Sequence, residues 1–413
     1  MESPLRSNIW KIALSDVFYS FGIIGSIYIL YFNDYLGYNS QSIGLYEAIT
    51  SITIIATELF TGVIADRIGR KISVLLSNSC FFLFAILLGS AGWIPGGFYT
   101  ILIFCGVLNG LEFSFRSGAK SALLYDTLLL LHREEEILKI TGRIQALTII
   151  SNALGMILGG LLYPFIPILP YWIWAVFILI ASIILANVQE PEIKKTTYQS
   201  IWKNLNTGVR YIFQTKILLW LVVFGLFADV FAESYWDIYS QKHLEILGTP
   251  FVGVFIAIIT AVCAIASYYL DKIEQRLGQR WMLYGIVGMQ TLLFLGFAWV
   301  SRWYLLFFLL ILFKTNRNFT WLVTEAYENQ LIPSEHRAAT LSAASFLRNG
   351  LFGGAILIYI VGWLIEHVTI SVLFTILAGI IFLANGILLV GRDLYKKLKK
   401  FPLLTRKHRE SFA

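Results

Sequence analysis

The sequence predicts an all-α polytopic membrane protein with twelve transmembrane helices in two six-helix bundles. The first observation behind this is composition: 57% of the 413 residues are hydrophobic and 14% are charged, whereas a soluble domain carries about a quarter charged residues. The second is that the apolar residues form long runs, each near the roughly 20 residues that cross a bilayer. Twelve such runs leave room only for short loops, so the sequence excludes a sizeable soluble domain.

The polar breaks between the apolar runs divide the spans into two groups of six. The first group lies near residues 9–32, 41–64, 72–93, 98–124, 141–163 and 168–188, and the second near 217–240, 250–270, 281–300, 303–325, 339–363 and 369–391. The longest break separates the groups. The predicted units are therefore an N-terminal bundle (1–188), a cytoplasmic linker (189–216), a C-terminal bundle (217–391) and a basic cytoplasmic tail (392–413).

The positively charged residues identify the sides of the membrane. Of the 32 Lys and Arg residues, Lys242 and Arg302 fall in outer segments and five fall within spans, while all others lie on the side of the N-terminus. Because Lys and Arg accumulate on the cytoplasmic side, both termini are predicted to be cytoplasmic, in the plasma (inner) membrane. The net charge of +7 then reflects topology and contact with the lipid bilayer, and nucleic acid is not an expected partner.

A charged, glycine-containing turn separates the second and third spans. It reads Gly62-Val63-Ile64-Ala65-Asp66-Arg67-Ile68-Gly69-Arg70-Lys71. This turn resembles the signature loop of the major facilitator superfamily, G-x-x-x-D-R-x-G-R-[RK], and fills every fixed position. Glu58 extends the similarity to a bacterial or archaeal subgroup of drug- or metabolite-exporter type. The resemblance implies a secondary transporter that works by alternating access, with its cavity between the two bundles.

The same resemblance implies a cytoplasmic gate. In the superfamily, the aspartate and the second arginine of the loop engage an acid at the inner end of the fourth helix, and Asp126 matches that acid. The residues assigned to gating are Gly62, Asp66, Arg67, Gly69, Arg70 and Asp126. The corresponding loop of the second half, Arg276–Arg280, aligns with Arg67–Lys71 and supports a duplicated fold with a substrate site between the halves.

Charged residues within the spans define the candidate site, because such residues are costly in a bilayer and tend to face a cavity or a partner. The resemblance implies that the first, fourth, seventh and tenth helices line the cavity. Asp229 and Glu233 on the seventh span, with Asp16 on the first, are the predicted proton-coupling residues. The predicted substrate-cavity residues are Glu112, Arg116, Lys120, Trp236, Lys314, Arg317 and Trp321.

Two interpretations of these charges stay open at this point. In the functional one, Asp229 and Glu233, one helical turn apart, take up and release a proton, and Arg116 and Arg317 hold the acids ionised or bind an anionic group. In the structural one, the acidic seventh helix attracts the basic fourth and tenth helices, and the resulting ion pairs only hold the bundle together. Asp237 is expected nearer the outer mouth, where water hydrates it.

The fifth span bears on the direction of transport. Exporters of the superfamily often carry g-x-x-x-G-P-x-x-G-G on this helix, and the chain has Gly155, Gly159 and Gly160 at the matching positions but lacks the first glycine and the proline. Small residues at this spacing also serve close helix packing. The pattern favours efflux without excluding a packing role.

Other functional classes find little support in the sequence. The histidines are scattered over loops and span ends, the cysteines lack a metal-ligand spacing, and a Walker motif is missing, so an enzyme, a metal or another cofactor is not expected. The predicted function is proton-coupled efflux of a drug-like compound or metabolite by a monomer, with small-molecule substrate and protons as partners. The alternatives are an organic-anion or siderophore-like transporter that uses the cavity Arg and Lys side chains, and a membrane sensor that does not transport.

Overall fold

A computed structural model gives the fold. It describes residues 2–94, 98–133, 136–191, 201–245, 248–332, 340, 343–344, 347 and 355–399. Helices dominate this part of the chain: α1 Glu2–Tyr19, α2 Tyr28–Leu30, α3 Ser40–Ile68, α4 Arg70–Ser90, α5 Phe98–Arg116, α6 Ala119–Leu130, α7 Ile137–Leu162, α8 Leu169–Ala186, α9 Ile201–Gln214, α10 Lys216–Ile238, α11 Ser240–Glu245, α12 Thr249–Tyr268, α13 Leu270–Trp299, α14 Trp303–Leu331, α15 Ala355–His367 and α16 Ile370–Lys399.

Seven of the described helices are long and apolar enough to cross a membrane: Arg70–Trp93, Lys139–Leu162, Leu169–Ala186, Lys216–Ile238, Phe251–Tyr268, Leu270–Trp299 and Ile370–Gly391. The other predicted spans are not among these seven because they contain several charged residues, are broken into shorter helices or include residues that the structure does not describe. The span predicted at 339–363 lies partly outside the described residues. The protein is an all-α polytopic membrane protein.

The first predicted span, 9–32, is not one continuous helix. After α1 ends at Tyr19 the chain is irregular to residue 27, and α2 then continues into a π-helical turn over Tyr31–Tyr35. Side chains of α7 donate hydrogen bonds to backbone carbonyls at the end of α1 and just after it: the Ser151 hydroxyl donates to the Val17 carbonyl over 2.6 Å, and the Asn152 amide donates to the Ser20 carbonyl over 3.3 Å. The break is thus stabilised by a neighbouring helix, which a local apolar pattern does not reveal.

Three further breaks in the helices lie at glycines that adopt positive φ angles. The predicted fourth span, 98–124, is divided into α5 and α6 at Gly118, whose φ is 74°. Gly69 (φ 108°) separates α3 from α4, and Gly278 (φ 76°) interrupts α13 at the matching place in the second half. Such φ values favour glycine because it lacks a Cβ. Gly69 and Gly278 therefore occupy the same turn in the two repeats.

The helices before residue 192 pack among themselves, with α3 and α4 on α5 and α1 and α4 on α8. Those after residue 215 do the same, with α13 on α16 and α10 and α12 on α14. The two groups meet where α3 packs on α15 and where α7 packs on α12. The linker predicted over 189–216 ends in the helix α9, and α16 extends into the predicted tail as far as Lys399; the exact domain boundaries stay a prediction.

Polar contacts join the two halves at the end of the molecule that the sequence predicts to be extracellular. The Ser40 amide donates to Glu366 over 2.8 Å, the Gln41 amide donates to the Tyr359 hydroxyl over 2.8 Å, and Lys242 lies 3.2 Å from Asp34. These contacts close the predicted outer side.

At the predicted outer side, one side chain of the second half forms hydrogen bonds with backbone groups of the broken first helix. The Gln241 amide group donates to the Gly25 carbonyl over 3.0 Å, and its oxygen accepts from the Ile29 amide over 3.0 Å. Backbone groups that the break leaves without helical partners are thus paired across the contact between the halves.

The contact between α7 and α12 also depends on a glycine. A Cβ at Gly253 would collide with the carbonyl oxygen of Met156. Replacing Gly253 by alanine is therefore expected to push the helices apart at a cost of about 1–3 kcal/mol. The midpoint of thermal unfolding measures this loss. The matched control is Gly285→Ala on α13, where an added Cβ meets nothing within 4 Å; equal midpoints for the two variants would contradict the expectation.

Candidate substrate and ion-coupling site

Asp16 is the centre of a charge cluster in the first half. Its carboxylate accepts from Arg116 on one oxygen over 2.6 Å and lies 2.8 Å from the Lys120 ammonium through the other. The Arg116 guanidinium also donates to the Asn78 side chain over 3.2 Å and stacks on the Tyr19 ring at 3.4 Å. The break at Gly118 places Arg116 and Lys120 on different helices, yet both reach the same carboxylate.

Glu112 lies one turn before Arg116, and its partners are neutral. The Tyr19 hydroxyl donates to this carboxylate, and the Ser77 hydroxyl donates to it over 3.2 Å. Asp16 and Glu112 are both buried. The first-half cluster therefore contains two acids and two cations in a closely hydrogen-bonded arrangement.

The second half contains a comparable cluster in which one arginine serves two acids. Arg317 on α14 lies 3.6 Å from the Asp229 carboxylate and 3.2 Å from that of Glu233, both on α10. Glu233 is 36% exposed and Asp229 14% exposed. These three side chains line a cavity of about 310 Å³. The Glu233 carboxylate is the more accessible of the two acids.

Lys314, Asn318 and Trp321 complete the wall of this cavity. The Lys314 ammonium lies 4.2 Å from the centre of the Trp236 ring, within the range of a cation–π contact. The predicted site residues of the seventh and tenth spans thus come together in one place. Asp16, the third predicted coupling residue, belongs instead to the first-half cluster.

A larger cavity of about 510 Å³ is lined almost entirely by residues of the first half, and Asp237 on α10 is the lining residue that the second half contributes. Aromatic side chains form much of its wall, and Glu47 on α3 and Asp237 on α10 supply its carboxylates. Sequence reasoning missed Glu47 and left Asp237 at the outer mouth. Glu47 could have been recognised, because it is an isolated carboxylate within an apolar run.

Comparison with known proteins decides the family. Residues 12–356 match the profile described as Major Facilitator Superfamily. The chain belongs to this superfamily. It is therefore a multi-pass membrane transporter, and the transporters that it resembles in structure agree with this assignment rather than with an enzyme.

The proteins similar to this chain are named for different substrates. "Multidrug resistance protein 2" of Bacillus subtilis (strain 168) is 24% identical over 292 residues, which cover 67% of this chain and 70% of that protein. The nucleoside transporter NupG superposes with a TM-score of 0.79 at 15% identity, covering 94% of this chain and 98% of that one. The D-xylose-proton symporter gives a TM-score of 0.68 at 14% identity, with 94% and 97% covered. The two structural likenesses show the fold.

The signature loop is described in part. The Arg70 guanidinium lies 2.7 Å from Asp126, as expected for the predicted gate, and Gly69 provides the turn before α4. The surroundings of Gly62 and the side chains of Asp66 and Arg67 lie outside what the structure describes, so the gating roles of these residues stay a prediction. Sequence reasoning did not foresee Glu190, whose carboxylate accepts from the Arg70 and Lys71 amides over 2.7 and 2.9 Å and so caps the positive end of α4.

The glycines of the fifth span lie where α7 meets the broken first helix. A Cβ at Gly155 would meet the Gly22 amide nitrogen, and one at Gly159 would meet the Ile23 carbonyl oxygen. Gly160 is buried on the same helix. This geometry accounts for two of the three glycines by close packing, so the pattern carries little weight for the direction of transport.

Metal chemistry has no visible basis in the described parts of the chain. No group of three or more His, Cys, Asp or Glu side chains there is arranged to hold a metal ion. Cys80, Cys105 and Cys263 are free.

Proposed function

We propose that this protein is a proton-coupled exporter of a small organic solute. The observation that carries the proposal is the shared arginine: Arg317 contacts both Asp229 and Glu233, and all three line one cavity. Because a single guanidinium holds two carboxylates, a proton added to either acid weakens one ion pair and lets the arginine move toward the other. A rearrangement of α10 against α14 can follow from this change.

In the proposed scheme, the proton-dependent rearrangement drives alternating access in the direction of export. Protons that enter from the outside would load the acids, and their release inside would drive the solute outward. The similarity to a multidrug resistance protein over 67% of the chain and the glycines of α7 support this direction, the latter weakly because packing also explains them. Asp16, held by two cations, serves in this scheme as the fixed anchor of the first half.

Transport in liposomes tests the proposal. A thermal-stability screen of the purified protein against metabolites, antibiotics and siderophores first identifies a compound that binds. Vesicles with an acidic interior are then expected to accumulate this compound, because protons leave as the solute enters, and a protonophore is expected to abolish the accumulation. Equal accumulation with and without the pH difference would contradict proton coupling, and binding without any transport would indicate a sensor.

The alternative substrate class is an organic anion. The cations of the two clusters, above all Arg116 and Arg317, favour it, but each arginine already contacts a carboxylate. If an anion is the cargo, Arg116→Ala and Arg317→Ala should weaken its binding by about tenfold or more while neutral and cationic compounds bind as before. Equilibrium binding to the purified variants measures this, and an equal loss for all three classes would speak against the anion.

A further inference from the structure

The cavity of about 510 Å³, lined by the first half and by Asp237, contains none of the ion pairs described above. Its volume lies within the range of about 300–1,000 Å³ found for pockets of drug-sized ligands. Glu47 and Asp237 line it, and they come from opposite halves of the protein. Both residues are half-buried, and both line the cavity.

The charges of the two clusters balance within each half. In the first half, the acids Asp16 and Glu112 are matched by Arg116 and Lys120. The second-half cavity is balanced in the same way, since it contains two acids and two cations: Asp229, Glu233, Lys314 and Arg317. Neither cluster has a net charge to offer a ligand.

Glu47 and Asp237 add negative charge beside these balanced clusters. Among the residues that the structure describes, neither carboxylate has an ion-pair or hydrogen-bond partner, and the described wall of the cavity contains no Lys, Arg or His. Arg317 and Lys314 both attract Asp237 from beyond ion-pair distance. These two cations also face Asp229 and Glu233, so three acids of α10 share two positive charges, and Glu47 adds a fourth negative charge. Two negative charges in a poorly hydrated space are costly unless a cation or protons neutralise them.

The walls of the cavity suit an aromatic cation. Rings from several helices surround it: Tyr19, Tyr28, Tyr46, Phe81, Phe84 and Trp174. Phe81 and Phe84 meet the Trp174 ring edge to face, at 4.2 and 5.9 Å between ring centres. Faces of tyrosine and tryptophan attract cations, and aromatic substituents of a ligand gain further contact area against such rings.

We propose that this cavity binds a singly charged organic cation with an aromatic body, whose charge lies between Glu47 and Asp237. The inference rests on the proposed function, since it names the substrate class of the exporter. A ligand held in this way contacts α3 of one half and α10 of the other. It therefore bridges the halves while the predicted outer side is closed. Because one positive charge cannot neutralise two carboxylates, Glu47 and Asp237 either both contact the ligand cation or one of them is protonated.

Two probes of similar shape and opposite charge test the proposal by equilibrium binding to the purified full-length protein. Tetraphenylphosphonium is the cation and tetraphenylborate the anion. The cation is expected to bind at least about tenfold more tightly than the anion, and Glu47→Gln and Asp237→Asn are each expected to weaken its binding by about tenfold or more. Asp271→Asn, an exposed residue on α13, is the control that should leave binding unchanged. Equal binding of both probes, or unchanged affinity in both cavity variants, would overturn the proposal.

A measurement on the unaltered protein keeps the test independent of variant folding. Dicyclohexylcarbodiimide modifies carboxyl groups in apolar surroundings, and mass spectrometry locates the adducts. Tetraphenylphosphonium is expected to protect Glu47 and Asp237 from modification, whereas tetraphenylborate is expected to leave it unchanged. Modification of both residues at the same rate with and without the cation would overturn the inference.

The outcome is separable from that of the proposed function because binding is measured without a pH difference. If the cation binds through Glu47 and Asp237 but a pH step drives no transport, the site stands and proton coupling is wrong. If a pH step drives transport of another compound but the affinity for the cation does not depend on Glu47 or Asp237, proton coupling stands and the proposed cation site is wrong.

Discussion

Replacing Asp229 by asparagine and Glu233 by glutamine together is expected to abolish pH-driven transport while leaving substrate exchange in place. The two side chains share Arg317 at 3.6 and 3.2 Å, so either acid alone could still accept a proton. When both side chains are neutral, Arg317 no longer has a partner whose charge depends on pH in this cluster. A pH difference then cannot shift the equilibrium between the inward-open and outward-open conformations. Exchange of labelled for unlabelled solute needs no net proton movement and should persist.

The measurement compares accumulation driven by an acidic vesicle interior with exchange at equal pH. We expect pH-driven accumulation to fall by at least about tenfold in the double variant, with a smaller loss in each single variant. Asp271→Asn, outside both clusters, provides the matched removal of a carboxylate. Unchanged pH-driven rates in the single variants and in the double variant would remove Asp229 and Glu233 from the coupling role.

Replacing Asp16 by asparagine is expected to cause the largest loss of stability. The carboxylate is 4% exposed and holds Arg116, itself 12% exposed, at 2.6 Å and Lys120 at 2.8 Å. Its removal leaves two cations without their ionic partner, and breaking a buried pair in this way costs about 3–5 kcal/mol. The midpoint of thermal unfolding in detergent or nanodiscs measures the loss.

The control for this variant is Asp34→Asn at the outer end. Asp34 pairs with Lys242 at 3.2 Å, and the two side chains are 40% and 28% exposed, so the change should cost only about 0–1 kcal/mol. Adding Arg116→Gln to Asp16→Asn should recover part of the stability, because the double variant removes one of the orphaned charges. A loss for Asp16→Asn no larger than that for Asp34→Asn would contradict the buried ion pair.

Composition and the signature turn were enough to predict the class of protein. Apolar runs predicted the helices because the bilayer leaves the backbone few other folds, and Gly62–Lys71 predicted the family that the profile match confirms. The charged residues of the seventh and tenth spans were also expected to attract each other, and Arg317 does contact Asp229 and Glu233.

The expectation that the basic fourth span attracts the acidic seventh span was wrong for the ion pairs that the structure describes. Arg116 and Lys120, on either side of Gly118, pair instead with the buried Asp16 carboxylate of their own half. Residue spacing on one helix gives the face that a side chain occupies but not which neighbouring helix meets it. The break after Tyr19 could not be predicted either, since Ser151 and Asn152, far away in the sequence, stabilise it.

The pairing of Gln241 with the broken first helix has a consequence for how the outer side opens. When the halves separate, the Gly25 carbonyl and the Ile29 amide lose the partners they have now. Each unpaired group would cost about 1–3 kcal/mol in a dry surrounding. Water molecules must therefore take the place of the glutamine as the gap forms, so the free energy of opening includes the wetting of a short stretch of peptide backbone.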